Sequence, residues 1–182
     1  TDGRSARLRS ASPGYRRAMD GWHGWRVALV IAVWVTIAGG FVLGALWTAF
    51  GGLSAAGPED EQLAASGVEP EGPVRRVTSF SSPQVGVHGL LGVLTGALVT
   101  YGATRHEVGG HIALLVALAI TAVPGAVMFA KWQRGDRPRL AVDTAGQPRV
   151  EDRLPKVLVY FHGLGTLVTA ALVAVLLVGD LG

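Results

Sequence analysis

The chain reads as all-α: an integral membrane four-helix bundle built by parallel duplication of a two-helix hairpin. Three observations carry this. Hydrophobic residues make up 49% of the 182 residues against 16% charged, and the mean hydropathy is +0.39. The charges are segregated, leaving the stretches 27–50, 85–104, 108–130 and 157–179 without a single Asp, Glu, Lys or Arg. Finally, the first of these stretches aligns with the third and the second with the fourth. A helix rising about 1.5 Å per residue needs about 20 residues to cross a hydrocarbon core of about 30 Å, and each stretch meets that length. Buried helices of a soluble bundle would instead carry polar faces at helical spacing, which these segments lack.

Residues 1–26 form a basic N-terminal tail, with "RSARLRS" followed by "GYRRAMDGWHGWR", whose Trp22 and Trp25 suit a membrane interface. The first helix, 27–50, follows a hydrophilic stretch and is longer than a signal-peptide core, so it reads as a retained anchor. Loop 51–84 is acidic around "GPEDEQ", where Pro58 ahead of Glu59, Asp60 and Glu61 is able to open a short surface helix. The second and third helices, 85–104 and 108–130, are separated by a turn around "ATRHEVGG" and so must be antiparallel neighbours. Loop 131–156, rich in Pro, Gly and alternating charge, reads as a solvated connector before the last helix, 157–179.

The tail, the tight turn and the C-terminus share one side of the membrane, the tail side; both long loops share the other, the loop side. Seven Lys or Arg fall on the tail side and nine on the loop side, and the six arginines ahead of the first helix favour a cytoplasmic tail. Lys131 and Lys156 are the only lysines among 16 basic residues, which together with abundant Ala, Gly and Val suggests a bacterial cytoplasmic membrane. The pI of about 9.8 comes from basic flanks beside the spans, with no arginine-rich stretch interleaved with base-stacking aromatics, so nucleic acid is not an expected partner. The absence of cysteine excludes disulfides, thiolate-held zinc, iron–sulfur clusters and Cys-attached haem within this chain.

The repeat is visible without gaps. "HGLLGVLTGALVT" from His88 matches "HGLGTLVTAALVA" from His162 at seven of thirteen positions, and the 24 residues from Gly24 match those from Gly109 at nine. Parallel repeats are related by an axis along the membrane normal, which places His88 and His162 at equal depth near the loop side. An ionisable side chain inside a span is a functional hypothesis by default. Two neutral imidazoles at matching depth suit axial ligation of one haem b. Gly86, Gly89 and Gly92 beside His88, and Gly163 and Gly165 beside His162, leave room for a flat macrocycle. A second reading is equally open: the glycines allow close helix packing and each histidine hydrogen-bonds across an interface. On the tail side His111 and His23 offer a second haem site, although His111 aligns with Arg26 and His23 has no matched histidine. Arg26 suits a haem propionate or a lipid phosphate.

"HEVGGH", His106 to His111, nearly spells a zinc-protease helix, but its spacing of five turns the second histidine about 140° from the first. Gly109 and Gly110 also disfavour a helix there. Beyond haem iron, no metal site is expected.

His88 in "VGVHGLLG", His111 in "GGHIALL" and His162 in "YFHGLGTL" give residues 85–179 an arrangement that resembles the four-helix membrane-bound b-type cytochromes, of the haem-binding membrane-anchor type. That resemblance implies transmembrane electron transfer, by the chain alone or as a membrane subunit of an oxidoreductase. The alternative function is a non-catalytic structural or accessory subunit of a large respiratory or photosynthetic complex, with other subunits and membrane lipid as partners. A small transporter fits the parallel repeat, but no span carries an acidic or basic residue and only Pro124 with Gly125 interrupts a helix.

Overall fold

The computed structural model describes residues 13–67, 76–103, 108–137 and 147–181. Among the described residues there are five α-helices: α1 (Pro13–Ala49), α2 (Pro58–Ala65), α3 (Ser82–Ala103), α4 (Val108–Arg134) and α5 (Lys156–Leu181). Gly24–Ala49 of α1, together with α3, Ile112–Arg134 of α4 and Lys156–Gly179 of α5, are long and apolar enough to cross a membrane. With no strand among the described residues, the molecule is an all-α membrane helical bundle.

The first helix starts earlier than expected. α1 begins at Pro13, so much of the segment read as a tail is helical. Pro fits a first helical position because its φ is preset and its missing N–H is not needed there. α4 begins at Val108, where the charge-free run 108–130 places it, and takes Gly109 and Gly110 into its first turn although glycines disfavour a helix. A glycine costs a helix only about 1 kcal/mol. An unpaired backbone in the hydrocarbon costs more, so the apolar run that follows decides the outcome.

α1 packs on α3 and α5, and α4 packs on the same two, so α3 and α5 stand on one diagonal of the bundle and α1 and α4 on the other. Burial follows the sequence repeat. Leu29 and Leu114, Val33 and Leu118, and Val99 and Val173 are matched pairs, and all six are buried in one apolar cluster on the tail side with Leu176. Trp34 Nε1 donates to Thr100 Oγ1 at 2.9 Å, and Arg26, itself buried, donates to the Ala103 carbonyl at 3.3 Å, joining α1 to the end of α3.

On the loop side the connectors fold back over the bundle. Ala56, Val77 and Arg149 pair their backbones as isolated parallel bridges, with Thr78 N donating to Ala56 O at 2.9 Å and Val150 N to Val77 O at 3.0 Å. α2 forms where Pro58 and three acids predicted it, and Asp60 accepts from Gly57 N at 2.8 Å. The connector after α4 differs from the solvated loop expected: Val150 and Glu151 are fully buried and Leu154 is nearly so. Val150, Leu154, Trp47 and Phe80 form the second apolar cluster, and burying that surface outweighs the segment's alternating charge.

Candidate ligand site between two histidines

His88 on α3 and His162 on α5 approach across the bundle to a ring-centroid separation of 6.1 Å, with their planes 85° apart. Each ring is held by a helix of the opposite repeat. His162 Nδ1 donates to the Thr36 carbonyl of α1 at 2.9 Å, and His88 Nδ1 donates to the Thr121 carbonyl of α4 at 3.2 Å. A carbonyl only accepts, so Nδ1 carries the proton in both rings and Nε2 keeps its lone pair. Thr36 and Thr121 are matched positions of the repeat, and so are His88 and His162.

One turn beyond each threonine lies a matched glycine. A Cβ on Gly40 would sit 2.8 Å from His162 Cε1, and one on Gly125 would sit 2.8 Å from His88 Cε1. Any larger residue would push the imidazole away. The threonine hydroxyls turn back along their own helices, Thr36 to Ala32 O at 2.8 Å and Thr121 to Ala117 O at 2.9 Å, which satisfies them inside the membrane. Thr95 and Thr169, again a matched pair, are buried one layer towards the tail side. Each histidine therefore rests in a threonine-carbonyl and glycine cradle contributed by the other half of the chain.

A cavity of about 1470 Å³ surrounds both imidazoles and is lined by all four spans. Its tail-side floor includes Val33 and Leu118, and its loop-side end Trp47, Trp132 and Phe80. A Cβ added at Gly86, Gly89, Gly92 or Gly163 would meet nothing within 4 Å, so these glycines face open space. Gly165 does not: its added Cβ would fall on the side chain of Thr36, so this glycine serves the α1–α5 contact.

Glu151 was not anticipated. It is fully buried behind the loop-side end of the cavity, where its Oε1 accepts from Thr78 Oγ1, from Ser79 N at 3.1 Å and from Trp47 Nε1 at 3.4 Å. Trp132 Nε1 donates to its backbone carbonyl at 3.3 Å, so the matched tryptophans of the repeat converge on one residue. Nearby, the Arg149 guanidinium hydrogen-bonds Asp152 and holds that carboxyl below its usual range.

The tail-side expectations are less complete. Arg26 is placed at the end of α3, as described; His106 and Glu107 lie outside the described residues, and so do the side chains of His23 and His111. Among the described residues no three His, Cys, Asp or Glu gather as a metal site. A metal ion held by the histidine pair would need further ligands from outside these residues. Against protein families, curated proteins and solved structures, the chain shows no match in any of the three comparisons.

Proposed function

We propose that the chain is a membrane electron-transfer protein, or the membrane subunit of an oxidoreductase, that binds haem b between α3 and α5 with His88 and His162 as axial ligands. The observation that carries this reading is the 6.1 Å separation of two imidazoles whose Nδ1 atoms are both engaged by backbone carbonyls. Metal–nitrogen bonds of about 2 Å on either side of one ion, plus half a ring on each side, put the centroids about 6 Å apart. Metal-bound histidines commonly donate their other nitrogen to a carbonyl, which fixes tautomer and ring orientation. A site with only two protein ligands suits a macrocycle that brings its own equatorial nitrogens, and the apolar cavity offers the space.

The protein's part is positional. Thr36 and Thr121 set the direction of each imidazole, Gly40 and Gly125 let the rings lie against the helices, and the apolar walls keep the site in a low dielectric. When bound, haem supplies a reversible one-electron change at iron, and the protein tunes it through ligands and surroundings. The Ala-, Gly- and Val-rich, lysine-poor composition supports placing the protein in a bacterial cytoplasmic membrane.

Titration of the purified protein with haemin, followed by reduction, tests the reading. Sharp α and Soret bands that saturate at one equivalent are expected, with loss of those bands in His88→Ala or His162→Ala; a well-folded wild-type preparation that gives no such bands overturns it.

A further inference from the structure

The repeat that builds the site is broken at its rim. Seen along the membrane plane, the cavity has two matched edges, one between α1 and α3 and the other between α4 and α5. At the second edge Phe129, Trp132 and Tyr160 form an aromatic trio with ring centroids 5.7 to 5.9 Å apart, and Gln133 Nε2 donates to the Tyr160 hydroxyl at 2.9 Å. The residues at the matched positions of the first edge are Gly44, Trp47 and Gly86. Trp47 is turned inward and buried against Glu151, while a Cβ at Gly44 or Gly86 would meet nothing within 4 Å. All of these residues except Gln133 and Glu151 line the cavity, and its two edges differ: aromatic rings bridge the helices at one, while the glycines at the other carry no side chain to bridge them.

Both edges lie within helices long and apolar enough to cross a membrane, so in a bilayer lipid would meet them from outside. We propose that the gap between α1 and α3, framed by Gly44 and Gly86, is a lateral portal through which a flat, lipophilic molecule dissolved in the membrane reaches the histidine pair, and that the Phe129–Tyr160 edge is the closed back wall. The ligand class follows from the surroundings: the cavity is apolar, the two imidazoles stand in it with ring centroids 6.1 Å apart, and its edges are formed by apolar spans. This rests on the haem reading only for the identity of the molecule, a macrocycle, and not for the existence of the portal.

The chain has no cysteine, so a single Gly92→Cys substitution, whose new side chain faces the open interior beside His88, provides a reporter without background. In proteoliposomes this variant is reacted with a pyrenyl maleimide partitioned into the bilayer. Adding Gly44→Phe with Gly86→Tyr, which copies the closed edge onto the open one, is expected to slow labelling by about tenfold or more. Phe129→Ala with Tyr160→Ala is expected not to slow it. Gly86→Tyr alone, the milder change, is expected to slow it partially and guards against misfolding of the pair. Labelling unchanged by either portal variant, or slowed equally by the back-wall variant, overturns the proposal. Haemin loading of the unsubstituted chain separates the two ideas: no haemin bands together with the expected labelling pattern refutes the haem reading and leaves the portal standing, whereas haemin bands with labelling indifferent to Gly44 and Gly86 refutes the portal alone.

Discussion

Thr36 and Thr121 occupy the same position in the two sequence repeats, and each accepts the Nδ1–H of a histidine that belongs to the other repeat, at 2.9 Å for His162 and 3.2 Å for His88. The site is thus shared across the repeat boundary, and neither hairpin alone holds both a histidine and its cradle. This exchange makes the glycines one turn beyond each threonine sensitive positions.

Gly40→Ala and Gly125→Ala each place a methyl group 2.8 Å from an imidazole carbon. Either should weaken haemin affinity by about tenfold or more, equivalent to about 1.4 kcal/mol, with helix content unchanged. Gly24→Ala, outside the cavity and with nothing within 4 Å, should leave affinity near wild type. Equilibrium haemin titration of the three variants distinguishes cradle from general glycine loss.

Glu151 anchors the loop-side cap through Thr78, Ser79 and Trp47 while wholly buried. Glu151→Ala leaves the buried Ser79 N–H without its acceptor, while Thr78 keeps the Phe80 carbonyl and Trp47 keeps the Thr78 hydroxyl, and should destabilise the cap by about 1–3 kcal/mol. Because Trp47 and Trp132 both hydrogen-bond this residue, their fluorescence should shift to the red in the variant, and denaturant unfolding followed by that emission gives the magnitude.

Asp152 contributes a small pH dependence. Its carboxyl titrates below the ordinary 3.8 because Arg149 hydrogen-bonds the ionised form. A folded value below the unfolded one stabilises the cap at higher pH, and that contribution is lost as pH falls through the folded value. The pair is half-exposed on the acid's side, so screening keeps the effect modest. Cap stability should be flat from neutral pH to about 5 and fall below the ordinary carboxyl range, and Asp152→Asn should remove that part of the fall.

The tail-side plug tests the duplication itself. Leu29 and Leu114 are matched and both buried. Leu29→Ala and Leu114→Ala should each cost about 2–5 kcal/mol, with similar values, because the two cavities they leave are equivalent. A large cost at one site and none at the other would contradict equivalent packing in the two halves; thermal or denaturant unfolding in detergent supplies the comparison.

The spans were legible in the sequence because hydrocarbon forces every backbone polar group into an internal hydrogen bond, so a long charge-free run has little choice but a helix. His88 and His162 were legible once the runs were aligned. The cradles stood in the same alignment: Ala32 and Ala117, Thr36 and Thr121, and Gly40 and Gly125 are identities, four residues apart on one helix face. What residue letters could not show is that the acceptor is a backbone carbonyl, which every residue has. Glu151 was hidden for another reason. Its burial depends on Val77 pairing with Arg149 and Ala56, segments far apart in the chain, and its local neighbours "RVEDR" look like solvent-facing charge.

The central claim is that His88 and His162 together ligate one macrocycle, and the coordination state of the oxidised haemin-loaded protein tests it most directly. Electron paramagnetic resonance with haem quantification should show one haem per chain in a six-coordinate, low-spin state, turning five-coordinate and high-spin in His88→Ala and in His162→Ala. A folded wild-type protein that takes up no haem, or low-spin haem that persists unchanged in both variants, would contradict the account.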